Sequence, residues 1–118
     1  MLIRPAHTDD EDAVWSILEP TIRAGETLTL PRDMTRADAL AYWLKPDHEP
    51  FVAVDDGRIV GTYFMHPNQP GGGNHVANCG YVTDPAATGH GIARRMCEHS
   101  LTHARSRGYR AMQFNFVI

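Results

Sequence analysis

Tyr81-Val82-Thr83-Asp84-Pro85-Ala86-Ala87-Thr88-Gly89-His90-Gly91-Ile92-Ala93-Arg94-Arg95-Met96 decides how the rest of the chain is read. A β-rich run enters a proline-marked turn, a Gly-x-Gly follows, and a helical pattern begins at once. Small residues there let backbone pass close to a ligand. The free N–H groups of a helix's first turn carry the positive end of its dipole, which makes an anion site suited to a pyrophosphate. A P-loop is excluded, because Gly89-His90-Gly91 stands where Gly-Lys-Ser/Thr is needed. A Rossmann fingerprint is excluded as well, because Arg94 occupies the place of the third Gly and the loop comes late in the chain. An ordinary tight turn before a helix and a coenzyme A pyrophosphate loop are the readings left.

Outward from this loop, the spacing predicts a helix over 89–107. Ile92, Ala93, Met96, Cys97, Ser100, Leu101 and Ala104 fall on one side, with Arg94, Arg95, Glu98, Thr102 and Arg105 on the other. Gly108 is placed to be its C′ residue, and 111–118 reads as a final strand. Upstream, 75–82 is a strand, and Asp55-Asp56-Gly57-Arg58 joins strands 51–54 and 59–65 in a hairpin. Thr35 caps a helix that buries Ala37, Leu40, Ala41 and Leu44 and closes at Pro46. Thr8 and Glu11 have capping-box spacing, before a helix that Pro20 interrupts and Gly25 ends. Met1 to Arg4 is a first strand. The order β-α-α-β-β-β-α-β gives an α/β (α+β) domain. Its sheet is mixed and mostly antiparallel, with a parallel last strand–helix–strand unit.

The 118 residues make one domain, 1–118, with 42% hydrophobic and 21% charged residues, which predicts a packed core. A net charge of −3 argues against nucleic acid as a partner, and no apolar run is long enough to span a membrane. Two cysteines, Cys79 and Cys97, are too few for a disulfide scaffold, so a reducing cytoplasm is expected. The tract Gly71-Gly72-Gly73 reads as a turn between strands. The sequence ends on Phe116-Val117-Ile118 inside an apolar strand, so the domain is expected to be C-terminally incomplete or completed by a partner.

Residues 82–96 resemble motif A of the GCN5-related N-acetyltransferases, Arg/Gln-x-x-Gly-x-Gly/Ala after a strand and a proline. Gly91 and Ala93 match the last two fixed positions, Gly89 matches a common glycine between them, and Thr88 replaces the Arg or Gln. The element order matches the same family through its fifth strand. The resemblance implies the acyl-CoA N-acyltransferase fold with helices on both faces of the sheet, here without the family's last helix and strands. It implies acetyl-CoA as co-substrate, held by Val82, Thr83, Thr88, Gly89, His90, Gly91, Ile92, Ala93 and Arg94. Arg94 and Arg95 supply the charge that Thr88 does not. The thioester is expected in a split between the fourth and fifth strands.

The implied reaction is direct attack of a neutral amine on the thioester, with a small-molecule amine or amino acid as acceptor. Many family members carry a glutamate on the fourth strand as base; here 75–82 contains no carboxylate. Asn78 on that strand and Asn115 on the next are the candidate catalytic residues, as amides that orient the acceptor or a water. Satisfying local backbone groups is their alternative role. Asn78-x-Gly80 with Phe114-Asn115 resembles the branch that acetylates proline analogues such as azetidine-2-carboxylate. Glu26 lies where the family covers its acceptor site, His66 and His75 are candidates for a proton relay, and His90 sits in the loop itself. Cys79 is a candidate nucleophile without a supporting signature, and Trp15, Trp43, Tyr42 and Tyr63 read as core or cleft aromatics. His99 and His103, four apart on the long helix, have metal-ligand spacing but lack a third ligand. Beside the enzyme stand two other readings, a non-catalytic acyl-CoA-binding module and a metal-binding module. The resemblance leaves a homodimer open.

Overall fold

The turn Asp55-Asp56-Gly57-Arg58 has positive φ at both central residues, 52° at Asp56 and 78° at Gly57, which is the twist a two-residue hairpin needs. It joins β2 (Glu49–Asp55) to β3 (Arg58–Pro67) in a computed structural model that describes residues 1–25, 31–67, 76–87, 91–109 and 111–117. The remaining elements are β1 (Leu2–Pro5), α1 (Glu11–Ala24), α2 (Arg36–Trp43), β4 (Val76–Thr83), α3 (Ile92–Ser106) and β5 (Ala111–Val117). They form one five-stranded sheet in the order β1-β2-β3-β4-β5. The first four strands pair antiparallel, and β5 joins β4 in parallel. The element order and the mixed sheet are those expected from the sequence.

Strand alternation divides the core between the two faces. Ala53, Tyr63, Met65, Ala77, Cys79 and Tyr81 pack with Ile92, Met96 and Ala104 of α3. Val52, Phe64 and Val82 pack with α1 and α2 through Val14, Ile17, Leu18, Ile22, Leu40 and Trp43. Helices therefore cover both faces. Gly61 allows α3 to sit close: a Cβ there would lie 3.0 Å from Ile92 Cγ2 and 3.1 Å from Met96 Sδ. α3 ends in paired 5→2 and 6→1 bonds, Gly108 N–H to Arg105 O (3.0 Å) and Tyr109 N–H to Ala104 O (3.0 Å), with Gly108 at φ 82°.

Four local expectations are corrected. The cap ahead of α1 is not the Thr8–Glu11 pair. Asp10 accepts from His7 N–H (2.7 Å) and from both Arg4 terminal nitrogens (2.8 and 3.0 Å). The guanidinium holds the Asp10 carboxyl below the usual range and lets it be buried. Pro20 does not interrupt α1; it lies on an exposed face, where water can take the Ser16 carbonyl left without its helical donor, and the helix runs on to Gly25. Thr35 does cap α2, accepting from Asp38 N–H (3.2 Å), but the buried face is Ala39, Leu40 and Trp43. Ala37 and Ala41 are exposed, because Trp43 finds a hydrogen-bond acceptor beneath the helix and fixes its rotation. On α3, Leu101 is 43% exposed and the buried line is Ile92, Met96, Ser100 and Ala104.

Candidate functional site

The N-terminus of α3 stands at the mouth of β4. Gly91 caps it in the left-handed region (φ 70°, ψ 21°), without a side-chain cap and without an acidic residue in the first turn. Among the described residues no atom lies within 4 Å of where a Gly91 Cβ would be, so the approach is open. Arg95 N–H returns to Gly91 O (3.0 Å), which leaves the N–H groups of Ile92, Ala93 and Arg94 as the orphan donors of the first turn. The Ile92 side chain belongs to the core, so this residue can offer a ligand only its backbone. Arg94 is exposed and pairs with Glu98 (3.2 Å); Arg95 is exposed beside it. Asp84, just upstream, is neutralised by Arg58 (3.2 Å) and accepts from Ala86 N–H (2.9 Å). The expected contacts at Thr88, Gly89 and His90 lie outside the described residues.

Val82 and Thr83 are buried and end β4. Among the described residues the β4–β5 ladder closes at Tyr81↔Val117, so these two extend past it toward α3. The ladder is also broken within. Cys79 pairs with Phe114 and Gly80 with Phe116, so Asn115 is the extra residue of a bulge. The residue level with Asn78 is Gln113 rather than Asn115.

By alternation Asn78 lies on the α1/α2 face, and it is 6% exposed. Across β3 its ladder partner is His66. The His66 ring stacks on that of His48 (centroids 4.7 Å, 21°), and His48 stacks on Phe64 (4.3 Å, 7°). Tyr42 meets His48 edge-on (5.4 Å, 88°). The register Glu49↔Met65 puts His48 level with His66, so His48, His66, Asn78 and the Gln113 position form one transverse polar row. Sequence reading missed His48 and the row, because register between strands distant in sequence leaves no periodic trace. Trp43 Nε1 donates to Thr62 Oγ1 (3.0 Å), and Thr62 donates onward to Phe51 O (2.8 Å).

The other candidates serve the opposite face. Tyr63 Oη and His99 Nδ1 share a hydrogen bond (2.7 Å), and burial pushes the phenol pKa up and the imidazole pKa down. His103 Nε2 meets Glu49 (2.7 Å), which also takes Arg107 (2.9 Å). The two helix histidines thus meet different partners. Ser100 donates to Cys97 O (2.7 Å), so the Tyr81 hydroxyl is the donor in its 2.6 Å bond to Ser100. Trp15 lies at the rim, its ring 5.5 Å from the Arg23 guanidinium. Glu26 and His75 lie outside the described residues.

Cys79 is fully buried, and burial pushes its thiol up to about 11 from 9.0. A two-unit rise leaves about 100-fold less thiolate at neutral pH. Iodoacetamide at pH 7.5 is expected to spare Cys79 in the native protein and label it only after unfolding. Rapid native labelling of Cys79, read by peptide mass mapping, would restore it as a nucleophile.

The Acetyltransferase (GNAT) family model matches residues 12–117. This chain belongs to the GNAT acetyltransferase family. The chain is 35% identical to a GCN5-related N-acetyltransferase from Kribbella flavida, with TM-score 0.91 over 98% of this chain and 71% of that one. A phosphinothricin acetyltransferase from Sinorhizobium meliloti, solved in complex with AcCoA, shares the fold at 16% identity, with TM-score 0.81 over 96% of this chain and 64% of that one. The N-acetyltransferase aca1 of Schizosaccharomyces pombe is 26% identical over 112 residues, 81% of this chain and 54% of that protein. This GNAT chain therefore spans about half of that curated relative's length. Among the described residues no helix is long and apolar enough to cross a membrane.

Proposed function

We propose that this GNAT chain is an acetyl-CoA-dependent N-acetyltransferase of the cytoplasm that acetylates the amine of a small molecule or amino acid by direct attack. The observation that carries the reading is the acid-free N-terminus of α3, unblocked among the described residues and capped by a left-handed Gly91. The donor set fits a diphosphate: orphan first-turn amides, the helix dipole, and Arg94 and Arg95 close by. Helix N-termini are common, but this one sits beside a parallel strand pair whose register breaks at Asn115, and a bulge leaves ladder amides without their regular partners. Such amides, near Val82 and Thr83, stabilise the charge that grows on the thioester oxygen.

Asn78 orients the acceptor on the α1/α2 face, and Asn115, at the bulge and not level with it, is the second candidate amide. As the acceptor nitrogen bonds to the acetyl carbon, the C–S bond breaks and coenzyme A leaves as its thiolate. Cys79 takes no part, so no acetyl-enzyme forms. The proline-analogue branch suggests cyclic secondary amino acids as acceptors.

Calorimetry with acetyl-CoA, followed by coenzyme A thiol release, tests this with four acceptors: azetidine-2-carboxylate, phosphinothricin, spermidine and an alanine-initiated peptide. Binding with turnover of at least one amine is expected. Binding without turnover would make the chain a non-catalytic acyl-CoA module. Asn78→Ala is expected to lower kcat roughly 10- to 100-fold, the worth of one or two hydrogen bonds at the reacting centre. Its acetyl-CoA affinity should stay within about threefold. Unchanged turnover would return Asn78 to a purely structural role.

A further inference from the structure

We propose that His66, seated against His48, takes the proton that the acceptor amine must lose, an assignment that rests on the acetyl-transfer reading above. Direct attack needs a proton sink, and the row that contains Asn78 holds no carboxylate: it is His48, His66, Asn78 and the Gln113 position. His66 is its partly exposed titratable member and sits across from Asn78 in the ladder. One residue further along β4 the β4–β5 register breaks. The row thus lies next to the place assigned to the thioester, on the face where Asn78 would meet the acceptor.

His48 is built to position His66. It is 8% exposed, clamped between the rings of Phe64 and His66 and edged by Tyr42. Its Nδ1 lies 3.3 Å from the Trp43 carbonyl, which can only accept, so Nδ1 carries the hydrogen and Nε2 keeps its lone pair. Burial is the main cause holding its pKa below the ordinary value, and the neighbouring His66 lowers it further. The other charged groups around it, Asp47 and Lys45, act in opposite senses. Two stacked imidazoles resist double protonation, so the stack carries one proton at a time. In the step itself the neutral amine's lone pair attacks the acetyl carbon, and as the C–N bond forms one N–H bond breaks, its electron pair staying on what becomes the amide nitrogen. The proton passes to a ring nitrogen of His66 and leaves from there to solvent, while coenzyme A departs as thiolate.

The test uses the whole chain, acetyl-CoA and the four acceptors named above. Wild-type kcat/KM for the best of them should fall as pH drops through an acidic limb. His66→Gln should remove that limb and lower kcat about 100-fold, with acetyl-CoA affinity and amine KM within threefold. Independently of turnover, the His48 imidazole titration followed by NMR should shift upward in His66→Gln. A His66→Gln enzyme with the wild-type limb and kcat within threefold would overturn this inference and leave the acetyl-transfer reading standing. So would an unmoved His48 midpoint. A folded wild type that binds acetyl-CoA and acetylates none of the four amines would overturn both.

Discussion

Gly91→Asp is expected to weaken acetyl-CoA binding by at least ~100-fold while leaving the melting temperature within a few degrees. Gly91 sits in the left-handed region with open space in front of it, so a side chain there meets conformational strain and not a clash. For aspartate that strain is about 1 kcal/mol, being one of the residues that visit the region most readily. A carboxylate at a helix start returns a similar amount through capping and the dipole. Stability therefore hardly moves. Binding moves a great deal, because the new charge points into the space assigned to the diphosphate. At roughly 4 Å and an effective dielectric near 20, one like-charge pair costs about 4 kcal/mol. A hundredfold needs only about 2.7 kcal/mol. Gly91→Asn is the control, since it fits the same backbone region without the charge, and it should bind within about tenfold of wild type. Calorimetry on both variants decides; equal affinities would remove the diphosphate from the head of α3.

Trp43→Ala is expected to cost about 3–5 kcal/mol of folding free energy, the range for emptying a large aromatic site. That would lower the melting temperature by roughly 10–20 °C, since each kcal/mol moves a domain of this size by several degrees. Trp43 is fully buried, stacks edge-on with Phe64 (4.7 Å, 79°), and donates to Thr62, which reaches on to Phe51 O. Truncation leaves both a cavity and a buried hydroxyl short of its donor, about 1–2 kcal/mol on its own. Trp43→Phe separates the two, because it refills most of the volume and loses the hydrogen bond alone. Its cost should be less than half that of the alanine variant, as measured by urea unfolding. Because the Trp43 ring braces Phe64, on which His48 stacks, the alanine variant should also loosen the polar row before the domain unfolds.

The strand, turn and helix around Gly91 were legible in the sequence because each rests on local chemistry. Gly-x-Gly before an amphipathic run needs no distant partner to be recognised. Asp56-Gly57 likewise sets its own positive φ values, and Gly108 its own helix stop. The α2 face was misread for the opposite reason. Its apolar residues are spread around an eight-residue helix, so periodicity alone could not choose between Ala37–Ala41 and Ala39–Trp43. A hydrogen bond to Thr62, 19 residues away, made the choice. Thr8 lost its role to Asp10 because Arg4, on a neighbouring strand, supplied a charge that no cap motif encodes.

The sequence by itself determined the element order, the family, and the glycine-capped, acid-free head of α3, since hydrophobic period and loop chemistry act over a few residues. The tertiary structure alone decided which amides and imidazoles share a level of the sheet. Strand register places His66 opposite Asn78, Gln113 level with both, and Asn115 at a bulge. Register is fixed by the fit of whole faces against α1, α2 and α3, a long-range balance that no single stretch of the chain carries.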